Sequence, residues 1–151
     1  MHVAVGADLN GFAMKETIKA HLHDLGHEVV DFGVAGDEDV DYPDVAVPVA
    51  RAVAAREVER AVLVCGTGLG MAMVANKIPG VRAASVTDPY SAERAIKSNN
   101  AQILCLGGKV IGTDVAVLLV DHWLNGEFAG GASARKVAKI QALDEASAGR
   151  P

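Results

Sequence analysis

Short β-branched runs alternate with longer amphipathic ones along most of the chain. "HVAVGAD" (2–8) is apolar without alternation and ends in Gly and Asp, which predicts a buried strand entering a loop. In "NGFAMKETIKAHLHDLGH" (10–27), Phe12, Met14, Ile18, Leu22 and Leu25 fall near helical spacing, and Gly26 supplies a stop. "EVVDFGV" (28–34) reads as a second strand. "AGDEDVDYPD" (35–44) is polar and acidic, with Pro43 near the start of a helix. "VAVPVARAVAAREVE" (45–59) predicts that helix, with Pro48 early in it or marking its true start, and "RAVLVCG" (60–66) a third strand. The alternation continues with helix 68–78, strand 81–86, helix 88–100, strand 101–108, helix 112–128 and a more charged helix 133–147. Asp88 and Pro89 suit an N-cap and a first helical position, and Thr113 or Asp114 falls near the next cap.

Strands alternating with helices imply a three-layer α/β/α sandwich around a mainly parallel sheet. In such sheets ligands bind at the carboxyl ends of strands. That rule selects Asp8–Gly11, Cys65–Met71 and Asp88–Ser91. No repeat, low-complexity stretch or second domain interrupts the pattern. One domain over 1–148 is expected, followed by a disordered tail at 149–151.

Half the residues are apolar, only 4% are aromatic, and the net charge is −5. Nothing in that balance favours nucleic acid or an anionic membrane surface. No apolar stretch approaches the roughly 20 residues of a membrane-spanning helix. The chain begins in a strand-like run with no leader before it, and Cys65 and Cys105 form neither a CxxC pair nor a disulfide framework. A cytoplasmic protein with reduced thiols is expected. His21 and His23 do not share a helical face, and His2, His27 and His122 add no zinc spacing. No metal is expected.

"GTGLGM" (66–71) sets three glycines at spacing two between a strand and a helix. Glycine permits positive φ and close backbone approach, and such a turn aims N–H groups at an anion. The full GxGxxG spacing and the Walker Lys-Ser/Thr pair are absent, so a nucleotide site is disfavoured. A tight turn with nothing bound stays open beside an anion site. Cys65 ends its strand where a ligand would sit. It reads either as a small buried hydrophobe or as a base whose thiolate removes a proton beside a carbonyl, the turn then holding the enediolate oxygen. Cys105, inside "ILCLGG", reads as core.

"VAVGADLNGFAMKETIKAHLHDLGHEVVDFGV", "DVDYPDVA", "VLVCGTGLGMAMVANKIPGVRAA", "YSAERA", "LCLGGKVIG" and "EFAGG" together resemble the ribose-5-phosphate isomerase B family, which includes the galactose-6-phosphate isomerase subunits. The blocks run in family order across about 140 residues. The resemblance implies a Rossmann-like fold and a homodimer or homotetramer with shared active sites. It also implies cofactor-free interconversion of a phosphorylated aldose and ketose. By position, Cys65 matches the base that moves a proton between C1 and C2, with Thr67 beside it. Gly66, Thr67, Gly68, Leu69, Gly70 and Met71 match the anion hole. Asp8 matches a residue that binds substrate hydroxyls, with Leu9 and Asn10 in the same loop. Tyr42 and Asn99 match residues lining the site, Asn99 reaching in from the partner subunit. Members without the Cys use a carboxylate from the next helix. Here Met71–Ala75 is apolar, so the chain looks like the thiol type.

Three departures bear on the substrate. The family's Asp-His is Asp8-Leu9 here, and its His-Asn-Asp, whose His is credited with opening the sugar ring, is Ser98-Asn99-Asn100. Two Arg after the Gly-Gly pair become Ala132 and Lys136, with Arg135 adjacent. Lys109, Arg135 and Lys136 are then the phosphate candidates, each equally readable as a solvated cation. A tetrose 4-phosphate has its O4 esterified and cannot close the furanose that a pentose 5-phosphate closes. A member lacking the ring-opening His therefore suits an open-chain substrate. "SAERAIKSNNAQI" is also similar to the branch acting on D-erythrulose 4-phosphate. Isomerisation of that tetrulose phosphate to erythrose 4-phosphate is the expected activity. Ribose 5-phosphate isomerisation and a non-catalytic sugar-phosphate binder are the alternatives, with a nucleotide-binding regulatory domain as a third class. "GADLNGF" is also similar to one subunit of the heteromeric galactose-6-phosphate isomerase, a subunit type without the Cys that is retained here.

Overall fold

The computed structural model describes residues 1–148; the tail expected at 149–151 lies outside the described residues. The strands are β1 (His2–Ala7), β2 (Glu28–Asp31), β3 (Arg60–Cys65), β4 (Ala83–Ser85) and β5 (Ile103–Gly107). The helices are α1 (Phe12–Asp24), α2 (Tyr42–Ala54), α3 (Leu69–Ala75), α4 (Pro89–Lys97), α5 (Thr113–Leu124) and α6 (Ala132–Ala148), and one 3-10 turn, Leu9–Gly11, precedes α1. All strand pairs are parallel, in the order β2-β1-β3-β5-β4. The register sets Ala7 opposite Val64 and Cys65 opposite Gly107.

Each strand alternates its side chains between two apolar layers. Val3, Val5 and Ala7 face α1, α4 and α5, where Ile18, Leu119 and Trp123 are fully buried. Ala4, Leu63 and Cys105 face α2 and α3. Burial on both sides explains strands that read as continuous apolar runs. Every connecting helix starts at the carboxyl end of one strand and ends near the amino end of the next. The α1 exit is closed by Gly26 at φ 80, with His27 N–H donating to the Leu22 carbonyl at 3.0 Å.

Several boundaries depart from the pattern. Helix α2 starts at Tyr42 and stops at Ala54 instead of covering 45–59, and Pro48 lies inside it. A proline there removes one backbone bond, but Val45, Ala46, Val49 and Ala50 are buried on the sheet, and that packing carries the helix through. Its end is set by Arg56 at φ 61, which lets Glu57 N–H close on the Ala52 carbonyl at 2.9 Å. Strand β2 stops at Asp31 rather than 34, α3 at Ala75 rather than 78, and α5 at Leu124 rather than 128.

Two cations, Arg60 half-buried and Lys15 fully buried, join elements across the fold. Arg60, at the start of β3, donates to the carbonyls of Trp123 (2.9 Å), Leu124 (2.7 Å) and Gly126 (2.8 Å) and so caps the end of α5. Lys15 is fully buried and meets both Asp31 carboxylate oxygens at 2.8 Å. Burial alone would raise the Asp31 carboxyl, but hydrogen bonds from Lys15, Lys19 and the Gly33 N–H outweigh it and hold it below the usual value of 3.8. A carboxylate held low in the folded chain stabilises it above that ordinary value. The stabilisation is lost as pH falls through the lowered folded pKa.

Two outcomes follow for stability. Arg60→Met should cost about 2–3 kcal/mol through lost charge-assisted cap bonds, read from urea midpoints at pH 7. Asp31→Asn should be less stable than the native chain at pH 7, and the gap between their midpoints should narrow as the pH is taken below about 4.

Candidate active site

The carboxyl ends of β1, β3 and β5 are neighbours, and the helices that follow them leave on different faces. Helix α3 goes to one face, and α1 and α5 go to the other. Such a parting of connections opens a crevice above the sheet. Cys65 is the last residue of β3 and sits in it, 5% exposed.

Backbone approach builds the surroundings of Cys65. Its Sγ accepts the Gly68 N–H at 3.1 Å, and its carbonyl accepts the Gly108 N–H at 2.8 Å. The Gly66 carbonyl accepts the Lys109 N–H at 3.0 Å, stitching the β5 exit onto the turn. Gly68 has φ 78, and a Cβ there would lie 2.9 Å from the Leu106 carbonyl carbon. A Cβ on Gly107 would lie 2.8 Å from the Thr67 backbone. Both contacts are closer than real side chains tolerate, so this stretch of "GTGLGM" and "LGG" is fixed by sterics. Thr67 is exposed, and its hydroxyl accepts the Leu69 N–H at 3.3 Å. Leu69, Gly70 and Met71 open α3, where backbone N–H groups have no intrahelical acceptor. The Met71 side chain is fully buried, so only its backbone faces the turn's end of the helix.

The other strand exits close in from two sides. Asp8 follows β1 and is 8% exposed; its backbone N–H donates to the Val64 carbonyl at 3.3 Å, and its carboxylate accepts the Gly11 N–H at 3.1 Å. Asn10 and the aliphatic stem of Lys109 converge on Gly66, 3.8 and 3.7 Å from where its Cβ would stand. The Tyr42 ring covers Gly70, with ring carbons 2.6 Å from a Cβ placed there. Leu9 is exposed at the rim.

Sequence-predicted residues therefore divide into two groups. Asp8, Leu9, Asn10, Tyr42, residues 66–71 and Lys109 are gathered around Cys65. Ser98 and Asn99 follow α4 at the amino end of the sheet, a strand's length away. Arg135 and Lys136 are exposed on α6, whose Asp144 accepts the Gly80 N–H at 2.7 Å, near the far end of α3. The third place chosen by the strand-end rule goes to a helix cap. Asp88 accepts the Ser91 N–H at 2.8 Å, and hydrogen bonds from Ser91 hold its carboxyl below the ordinary value. Cys105 is fully buried; desolvation, reinforced by the nearby Cys65, pushes its thiol far up. All five histidines stand toward the amino end: His2 opens β1, His27 precedes β2, and His21, His23 and His122 lie in last helical turns. Ser85 was missed by the sequence reading. Its hydroxyl lies 3.0 Å from the Cβ position of Gly68, at the end of β4. A polar residue closing an apolar strand was the available signal.

The chain matches the Ribose/Galactose Isomerase family model over residues 3–140. A ribose-5-P isomerase B of Listeria innocua is 46% identical over 145 residues, 96% of this chain and 98% of the relative. A D-erythrulose-4-phosphate isomerase of Pectobacterium atrosepticum is 46% identical over 142 residues, 93% of each. The solved ribose-5-phosphate isomerase B of Clostridium thermocellum superposes with a TM-score of 0.95 at 44% identity, covering 97% of this chain and 99% of that one. No helix among the described residues is long and apolar enough to cross a membrane.

Two of the turn's three glycines should respond differently to a methyl group. Gly68→Ala meets backbone at a positive φ and should cost about 2–3 kcal/mol. Gly70→Ala meets only the tip of a half-exposed Tyr42 ring, which swings aside, and should cost under about 1 kcal/mol. Urea midpoints of the two variants check the contrast.

Proposed function

The chain belongs to the ribose/galactose isomerase family, a family of sugar-phosphate isomerases, and we propose that its substrate is the open-chain ketose D-erythrulose 4-phosphate, converted to D-erythrose 4-phosphate. The observation that carries this reading is the lack of imidazole at the two positions where the family resemblance expects it: Leu9 occupies the rim, and Ser98 ends α4 in place of the ring-opening His. A pentose 5-phosphate must be released from its furanose before C1 and C2 can exchange a proton. Erythrose 4-phosphate has its O4 esterified and cannot close onto C1, and the tetrulose has no oxygen placed to close a furanose onto C2, so the site needs no ring-opening acid.

In the proposed reaction the Cys65 thiolate takes one proton from C1 of the ketose. The C1–H electrons form the C1=C2 bond, and the C2 carbonyl electrons move onto O2. Backbone N–H groups of Gly70 and Met71 hold the resulting enediolate. The Cys65 thiol returns the proton at C2. The Thr67 hydroxyl passes the O1 proton to O2, leaving the aldehyde at C1. The electrons are redistributed within the sugar, so the step requires no cofactor. Asp8 and Asn10 bind the substrate hydroxyls, Tyr42 closes the side above Gly70, and Lys109 meets the phosphate. Ser98, Asn99, Arg135 and Lys136 lie too far from their own Cys65 to join it. In this reading a second copy of the chain presents them, in a homodimer or a pair of homodimers with shared sites. Two buried free thiols suit a reducing, cytoplasmic setting. Ribose 5-phosphate is the second reading, favoured by the Listeria relative's name and requiring Ser98 or a water to open the ring.

Turnover of D-erythrulose 4-phosphate beside ribose 5-phosphate, on one preparation, tests the assignment. A kcat/KM at least ~100-fold higher for the tetrulose is expected, since the open-chain site lacks the general acid that ring opening requires. A preference for ribose 5-phosphate overturns it. Cys65→Ala should lower kcat by about 10³–10⁴ while Cys105→Ala leaves it within about threefold. Retained turnover in Cys65→Ala removes the thiol from the mechanism.

A further inference from the structure

The ammonium of Lys15 is fully buried with several partners, and the proton transfer at Cys65 does not use it. Its Nζ is fully buried, lies 2.8 Å from both Asp31 oxygens and 2.9 Å from Glu16 Oε1, and donates to the Val34 carbonyl at 2.7 Å. It also lies 5.4 Å from the centre of the Phe12 ring. Asp31 does not depend on Lys15 alone, because Lys19 bridges Asp31 and Glu16 at 2.7 Å each. A buried ion pair is a poor device for stability as such, since apolar residues of similar volume serve as well. The contact to Val34 is the one that no neighbouring cation duplicates.

Val34 lies beyond the end of β2, on the route to the crevice. Its N–H donates to the Ala7 carbonyl at 2.8 Å, and Ala7 N–H donates to the Gly33 carbonyl at 2.7 Å. The next residue, Asp8, bonds the Val64 carbonyl immediately before Cys65. On the other side of Val34, residues 35–41 carry Asp37, Glu38, Asp39 and Asp41 and no cation before reaching Tyr42 over Gly70. Within that acidic loop the side-chain bond is a long one, Ala35 N–H to Glu38 at 3.5 Å. The loop is thus held at its two ends, by Val34 and by the start of α2.

We propose that Lys15 is a positioning residue for the isomerase: by pinning the Val34 carbonyl it holds the end of β1 under Asp8 and the root of the loop that delivers Tyr42. Its effect on substrate binding runs through Asp8, because the Tyr42 loop keeps its second anchor at the start of α2, and it does not touch the sugar. The proposal rests on the reading of Asp8 as a substrate-binding group. A hydroxyl-binding group contributes alike to the ground state and the transition state, so its displacement appears in KM more than in kcat.

Kinetics of folded Lys15→Met, with Asp31→Asn as control, provide the test. Lys15→Met should raise KM about tenfold with kcat within about threefold, the size of one lost ordering hydrogen bond. Asp31→Asn, though less stable, should keep the native KM, because the bond from Lys15 to Val34 remains. In the Asp8→Ala background Lys15→Met should raise KM by less than about threefold more, since the two act in series. If Lys15→Met does not fold, Lys15→Met/Asp31→Val removes the buried pair together and carries the same measurement. An unchanged KM in the folded Lys15 variant overturns the proposal. So does a KM rise shared equally by Asp31→Asn, or a tenfold effect that persists without Asp8. A native KM in Asp8→Ala also overturns it, whereas the isomerase reading itself falls only if the native chain turns over neither sugar phosphate.

Discussion

Cys65 occupies its place because two strand exits pass one another with nothing between their backbones. The β3 turn and the β5 exit are joined by the Gly108-to-Cys65 and Lys109-to-Gly66 bonds, and that spacing admits no Cβ at Gly68 or Gly107. Everything else at the crevice is referred to this contact. The Gly68 N–H reaches Sγ from inside the turn, and the positive φ of Gly68 then sets the chain into α3. The parallel register then brings Ala7, and so Asp8, level with Val64. Three loops far apart in sequence are fixed relative to one thiol by main-chain geometry, with side chains added at the edges.

The order of strands and helices was legible because two-sided burial forces continuous apolar strands and one-sided burial forces helical spacing. Ends were less legible. Pro48 suggested a helix start, yet the burial of Val45 and Ala46 is decided by the sheet beneath, which local pattern does not contain. Asp8 and Cys65 were visible as polar or reactive residues at strand exits. Tyr42 entered only through the family resemblance, since its contact with Gly70 depends on how an acidic loop without periodicity folds back. Lys15 went unremarked although it shares a helical face with Ile18 and Leu22. A lysine reads as a solvated position until its partners, 16 and 19 residues away, are known.

The molecule is chemically two-ended. The thiol, the glycine turn and Asp8 stand at the carboxyl ends of the strands. The histidines, the Ser98–Asn99 turn and the Arg60 cap on α5 stand at the other. The same connectivity produces both facts, because every crossover helix carries its last turn away from the crevice. An isolated protomer thus holds the glycine turn with one lysine beside it, while Ser98, Asn99, Arg135 and Lys136 stand away from its own Cys65. This polarity is the physical reason the proposed function calls for a second copy.

The glycine turn also bears on how such a protein diversifies. The donors at the start of α3 are main-chain amides, which substitution does not delete, and Gly68 and Gly107 have no room for a Cβ. Point mutation therefore has its freest hand at Leu9, Ser98 and Lys109, side chains on the periphery of a fixed chemical centre. In a lineage built this way the sugar can change while the thiol and its turn stay put. Relatives of near-equal identity carrying the names of different sugar phosphates are what that asymmetry would leave behind.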